Sequence, residues 1–204
     1  MSDVLDDHAP ADAPDADVPR SRARRLAPLV VGVIAVLMVG LFVVLAGASP
    51  DDGGTSADSP LIGRPAPEAT GTLGDGTSFD LSRRKGSWVV LNFFDPTCVP
   101  CIREHPELVA FSEDQATLGT DGAELYSVIT RGDQDEIEAF FADNGGDWPA
   151  IYSEADEFPV AFGVAQVPET WIVDPSGVVQ LRLISTVTAE QLNSILRQYR
   201  EQYG

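Results

Sequence analysis

Trp88-Val89-Val90-Leu91-Asn92-Phe93-Phe94 runs into Asp95-Pro96-Thr97 and then into Cys98-Val99-Pro100-Cys101. The first seven residues are an almost unbroken apolar run, the pattern of a strand buried on both faces. From Cys98 to Thr117 the apolar positions Leu108, Val109 and Phe111 fall at helical spacing. The two cysteines therefore stand at the mouth of a helix fed by a buried strand. Thiols at i and i+3 on a first turn can close a small disulfide ring. A thiol at the helix mouth meets unpaired N–H groups and the positive end of the dipole, which favour its thiolate, the nucleophilic form. The second thiol, one turn inside, is better shielded and resolves the mixed disulfide. Pro100 suits the opening turn, where its missing N–H has no helical partner. Half a zinc site and a structural disulfide are the other readings of such a pair. The chain has only two Cys, with His105 the one His nearby, and a disulfide closing so short a loop removes little chain entropy.

Working outward, Glu124–Thr130 reads as a second apolar strand. Asp133–Asn144 reads as a helix with Asp133 as N-cap, Glu136 completing a capping box, Ile137, Phe140 and Phe141 on one face, and Asn144-Gly145 as the stop. Thr170–Asp174 and Val178–Ile184 form a hairpin about Pro175-Ser176-Gly177. Thr188–Tyr199 is the last helix, with a capping box of Thr188 and Gln191 and a stripe of Leu192, Ile195, Leu196 and Tyr199. Upstream, Leu73-Gly74-Asp75-Gly76-Thr77 marks another hairpin. The order β-α-β-α-β-β-α, with that extra N-terminal hairpin, predicts an α/β fold: a thioredoxin-like sandwich with a mixed central sheet and helices on both faces.

The remaining sequence sets the context. The chain has 204 residues, is 44% hydrophobic and 22% charged, and carries a net charge of −19. That charge excludes a nucleic-acid partner, which needs clustered Lys and Arg. Residues 1–25 are rich in Asp, Ala and Pro and end in Arg20, Arg22, Arg24 and Arg25, which predicts a disordered cytoplasmic tail. Leu26–Pro50 holds no charged residue. Residues 26–48 are expected to be a single transmembrane anchor, with the arginine flank inside and the remainder extracytoplasmic. Ala46-Gly47-Ala48 would suit a signal peptidase, but the apolar run exceeds the roughly 7–15 residues of a signal core. A buried core helix rarely lacks charge over such a length. Residues 49–60 read as a flexible polar linker, and 61–204 as one domain with 23 acidic and nine basic residues. This charge favours basic clients through association rates.

Gln166-Val167-Pro168-Glu169-Thr170 leads into the strand of the second hairpin. In a thioredoxin-like sandwich that position faces the Cys pair, with Pro168 cis and the Val167 backbone free to pair with an extended substrate. An ordinary trans proline opening a strand is equally legal locally.

With these stretches, and with Gly63-Arg64-Pro65-Ala66-Pro67 and Cys98-Val99-Pro100-Cys101-Ile102-Arg103-Glu104-His105-Pro106, the chain resembles the membrane-anchored TlpA/ResA/CcmG group of thioredoxin-like proteins. The resemblance implies a thiol-disulfide oxidoreductase with Cys98 attacking, Cys101 resolving and Glu104 tuning the pair. It makes Pro106 a helix-kinking proline, and Glu169 points to the CcmG-like branch and to substrate contact. No cofactor or metal is implied beyond the Cys98–Cys101 disulfide. The clients are protein thiols or disulfides, such as the haem-site cysteines of apocytochrome c, with electrons from a membrane thiol transporter. One departure is that Thr97 precedes Cys98 where the family has Trp, which alters the surface a partner meets. Competing functions are a thiol peroxidase, although its Pro-x-x-x-Thr-x-x-Cys spacing is missing, a disulfide-forming oxidase, and a non-redox tethered binding module. Glu104 and Glu169 could also be plain surface carboxylates, and His105 either an exposed residue or a modulator of the nearby thiols.

Overall fold

The computed structural model describes residues 23–47 and 53–203 and divides into two compact units. The first contains helix α1, Ala23–Gly47, which falls on the uncharged segment. Its large apolar side chains from Val30 to Phe42 are exposed. Among the described residues no helix is long and apolar enough to cross a membrane. Of the tail expected over residues 1–25, residues 1–22 lie outside the described residues, and 23–25 open helix α1.

The second unit is built on one eight-stranded sheet. In chain order its strands are β1 (Thr55–Ser56), β2 (Thr70–Leu73), β3 (Ser78–Asp80), β4 (Val89–Phe94), β5 (Glu124–Ile129), β6 (Ala150–Tyr152), β7 (Glu169–Val173) and β8 (Val179–Ile184). Across the sheet they run β1-β8-β7-β4-β5-β6-β2-β3. Strand β4 is parallel to β5 and antiparallel to β7, so both its edges are paired, and all six of its residues are buried. That is why its sequence is apolar without alternation. The helices are α2 (Val99–Ala116), α3 (Gln134–Asn144), α4 (Glu157–Phe162) and α5 (Ala189–Tyr203). This is the thioredoxin-like mixed sheet with covering helices.

The pleat of β4 divides the core. Val89, Leu91 and Phe93 pack with Phe158, Phe162 and Trp171. Val90 packs on the other face with Leu108 and Phe111 of α2 and Leu192 and Leu196 of α5. Asn92 falls on the α2 face by the same alternation.

Three details depart from expectation. Strand β6 and helix α4 are additional; at three and six residues they are too short to show a period. The stretch read as a flexible linker contains β1, where Thr55 and Ser56 pair with Ile184 and Leu183. The folded unit thus begins before Leu61. Gly54 makes this docking possible, since a Cβ there would meet Val187 Cγ1 at 2.9 Å. Finally, the Asp133–Glu136 capping box is complete, but the Thr188 box is only half made. Gln191 N–H donates to Thr188 Oγ1 at 3.1 Å, while the Gln191 side chain donates to Gly54 O at 2.7 Å.

Candidate active site

Cys98 is the N-cap of α2, with extended backbone, and the Cys101 N–H donates to its sulfur at 3.3 Å. The two cysteines form a disulfide, their Cα atoms 5.2 Å apart. Cys101 is fully buried against Phe94, Ile129 and Ile137, whereas Cys98 is half-buried. Exposure and helix-end polarity thus fall on the same sulfur, favouring attack at Cys98 over Cys101. Val99 and Ile102 are exposed beside the pair, an apolar rim around the reactive sulfur.

The Val167–Pro168 peptide bond is cis. Cys98 Sγ lies 3.6 Å from Val167 O, and a groove beside this loop is lined by Val160, Val164, Gln166 and Val167. Thr97 is exposed next to Cys98, but its N–H and hydroxyl both donate to Asp95 Oδ1 at 2.7 Å. Asp95 Oδ2 in turn pairs with Arg131 at 3.6 Å. Where the family resemblance leads one to expect an indole, the chain has a tight polar turn.

Glu104 is not a solvated helix residue. It is buried one turn after Cys101, accepting from the Val187 N–H at 2.9 Å through Oε1 and from Asn92 Nδ2 at 3.2 Å through Oε2. Burial pushes its carboxyl up to about 8, against the lowering effect of those two donors. His105 is not exposed either. Its Nε2 lies 2.7 Å from Gly145 O, and the rings of Phe94, Phe140, Phe141 and Trp148 surround it. Burial lowers its pKa, so it is neutral at pH 7, and the carbonyl fixes the proton on Nε2. Pro106 lies within α2.

The expectation of Glu169 in substrate contact is corrected. Its side chain is buried, with Arg182 Nε donating to Oε1 at 3.0 Å and Nη2 to Oε2 at 2.9 Å. Trp171 Nε1 adds a bond at 2.6 Å to Oε1. The β7 register pairs Glu169 with Phe93, so the pleat turns its carboxylate into the sheet's interior rather than towards Cys98. Asn92 and Arg182 are the functional candidates that sequence reasoning passed over. The signal for each was a polar residue inside an apolar strand, in LNFF and LRLI.

Strand, helix-capping disulfide and facing proline loop define a thioredoxin-like dithiol protein. The model of the AhpC/TSA family matches residues 62–182, and the chain belongs to that family. It is 30% identical over 135 residues to the thiol:disulfide interchange protein HelX of Rhodobacter capsulatus, covering 64% of this chain and 72% of that one. It is 27% identical over 142 residues to the thiol-disulfide oxidoreductase ResA of Geobacillus thermodenitrificans, covering 70% and 80%. A structure described as a putative thiol:disulfide interchange protein DsbE, from Chlorobium tepidum, superposes with a TM-score of 0.58 at 22% identity, over 75% of this chain and 99% of that one. The chain is a thiol-disulfide oxidoreductase of the ResA/HelX type, and its redox-active group is its own disulfide.

Proposed function

We propose that the protein is a membrane-anchored reductant of extracytoplasmic client disulfides, with the haem-site cysteines of apocytochrome c as its clients. The observation that carries the exchange reading is the half-buried Cys98 sulfur, capping α2 and 3.6 Å from Val167 O, with Cys101 fully buried one turn further on. In the reduced protein the Cys98 thiolate attacks one client sulfur. A Cys98–client disulfide forms and the first client thiolate leaves. Cys101 then gives its proton to the ionised form of Glu104 and attacks Cys98 Sγ. The second client thiolate leaves and takes up a proton as the Cys98–Cys101 disulfide closes. Two electrons have passed to the client, and a membrane thiol donor restores them. Val167 and Pro168 hold the client backbone, and Thr97 shapes the adjoining rim. The uncharged Leu26–Pro50 segment and its arginine flank in the sequence support the anchor, with the redox domain outside.

The test is the reduction potential of Cys98–Cys101 in the full chain in detergent, equilibrated in thiol buffers. A value near ~−270 mV is expected of a reductant, and one near ~−120 mV would turn the reading into disulfide formation. A reduced apocytochrome peptide should appear at a rate that depends on Cys98. Protease added outside intact cells should digest residues 53–203; full protection would refute the proposed orientation.

A further inference from the structure

The mechanism leaves one buried group unused. Asn92 is fully buried in the middle of β4. Its Nδ2 donates to Glu104 Oε2 at 3.2 Å and to Thr170 Oγ1 of β7 at 3.1 Å. Its Oδ1 is buried with no hydrogen-bond partner among the described residues. Burying a polar group with an unmade hydrogen bond is costly, and apolar Val90 serves the same face two residues earlier. Packing alone therefore gives no reason for an amide here.

We infer that Asn92, oriented by Thr170, is the positioning residue that holds the Glu104 carboxyl where it exchanges the proton of Cys101. This rests on the reading of Glu104 as the proton acceptor given above. The two Nδ2 hydrogens are divided between Thr170 and Glu104, which fixes the amide plane across the β4–β7 pair. The Glu104 carboxylate that takes up the Cys101 proton has this donor in place before the transfer. The bare Oδ1 of Asn92 is available to a carboxyl O–H after a small turn of either group. On α2 the other titratable neighbours are His105, held through Nε2 by Gly145 O with its Nδ1 unpartnered among the described residues, and Glu107, which accepts from the Ala189 N–H at 2.9 Å. Among the described residues no ion pair reaches Glu104 from β4, β7 or α5. The Val187 N–H and Asn92 are thus its whole polar environment, and Asn92 is its one side-chain partner.

The test uses the reduced full chain in detergent and an aromatic disulfide that releases a coloured thiolate at each of the two steps. The first release reports attack by Cys98, and the second reports closure by Cys101. Asn92→Leu should leave the first release unchanged. It should slow the second about threefold at pH 8 and move its pH break upward, because a donor to the carboxylate is lost. Thr170→Val, which keeps the shape of the site, should move the break the same way. Glu104→Gln should abolish the break, and Asn92→Leu/Glu104→Gln should match Glu104→Gln alone. A break that Glu104→Gln removes but neither Asn92→Leu nor Thr170→Val moves overturns the inference and leaves the Glu104 reading standing. An Asn92→Leu effect that is equally large when added to Glu104→Gln overturns it too. A break that survives Glu104→Gln refutes the proton-acceptor reading itself, and the inference with it.

Discussion

Replacing Glu104 by Gln should flatten the pH dependence of folding stability above neutrality. The carboxyl ordinarily titrates near 4.5, and burial raises it to about 8 in the folded protein. The folded state therefore holds a proton that the unfolded chain has released. Its stabilising contribution is complete below the unfolded value and is lost as the pH rises through the folded one. The diagnostic window is pH 6.5 to 8. Below it His105, whose lowered pKa keeps it neutral in the fold, adds a slope of opposite sign. Within it the lost stability amounts to between about 1 and 2 kcal/mol, from roughly 1.4 kcal/mol per pH unit tapering near the folded pKa. The assay is urea unfolding of the oxidised full chain in detergent, followed by the emission of the buried Trp88, Trp148 and Trp171. Keeping the disulfide closed removes thiol titration from the same range. Wild type should lose stability from pH 6.5 to 8, and Glu104→Gln should lose much less. The same slope in both proteins would refute a proton held at Glu104 by burial.

Other outcomes follow from the same geometry. Arg182→Leu should cost about 3 kcal/mol in urea melts by leaving the Glu169 carboxylate buried without its cation, and Glu169→Gln/Arg182→Leu should recover more than half of that loss. Cys101→Ser should trap clients as mixed disulfides visible on non-reducing gels, because closure is lost while attack by Cys98 remains; Cys98→Ser should trap none. His105→Phe should remove the part of the stability loss that sets in as pH falls below about 6.5, when the unfolded imidazole takes a proton that the buried one refuses; melts at pH 5 and 7 measure it.

The centre of the fold and the disulfide were legible because each is written locally. A strand paired on both edges needs no polar face, so β4 appears as a run of apolar residues, and the Cys pair follows within a few positions. The Asp133 helix is equally legible, since its cap, its apolar face and its stop are all short-range. What escaped is set by register or by partners distant in sequence. Asn92 and Glu104 are 12 residues apart and meet only once α2 is laid across β4. Glu169 and Arg182 meet because the β7–β8 hairpin sets Arg182 opposite Trp171, two residues along from Glu169 on the same face. The sequence shows the hairpin but not its register, including the irregularity between Ile172 and Val173. Strand β1 was missed for another reason: Thr55 and Ser56 are exposed, and a polar dipeptide on a sheet edge looks like linker.

Two buried carboxylates flank the same pair of strands, and their partners separate their roles. Glu169 enters the Trp171 face and meets Arg182 in a two-point ion pair, an arrangement that fixes the geometry. Glu104 enters the α2 face, where no cation reaches it, and receives only an amide N–H from Asn92 and a backbone N–H from Val187. Two neutral donors offset part of the cost of burying a charge but not all of it, so the proton stays on until something drives it off. A strong cation at that place would hold Glu104 ionised and unable to cycle, while an apolar neighbour would keep it protonated and equally idle. An amide lies between those limits, and its partner Glu104 stands on α2 one turn after Cys101, the sulfur that must lose its proton for the disulfide to close. Changing Asn92 to Arg or to Leu should therefore slow closure from opposite sides, whereas the same changes around Glu169 would be felt only as stability.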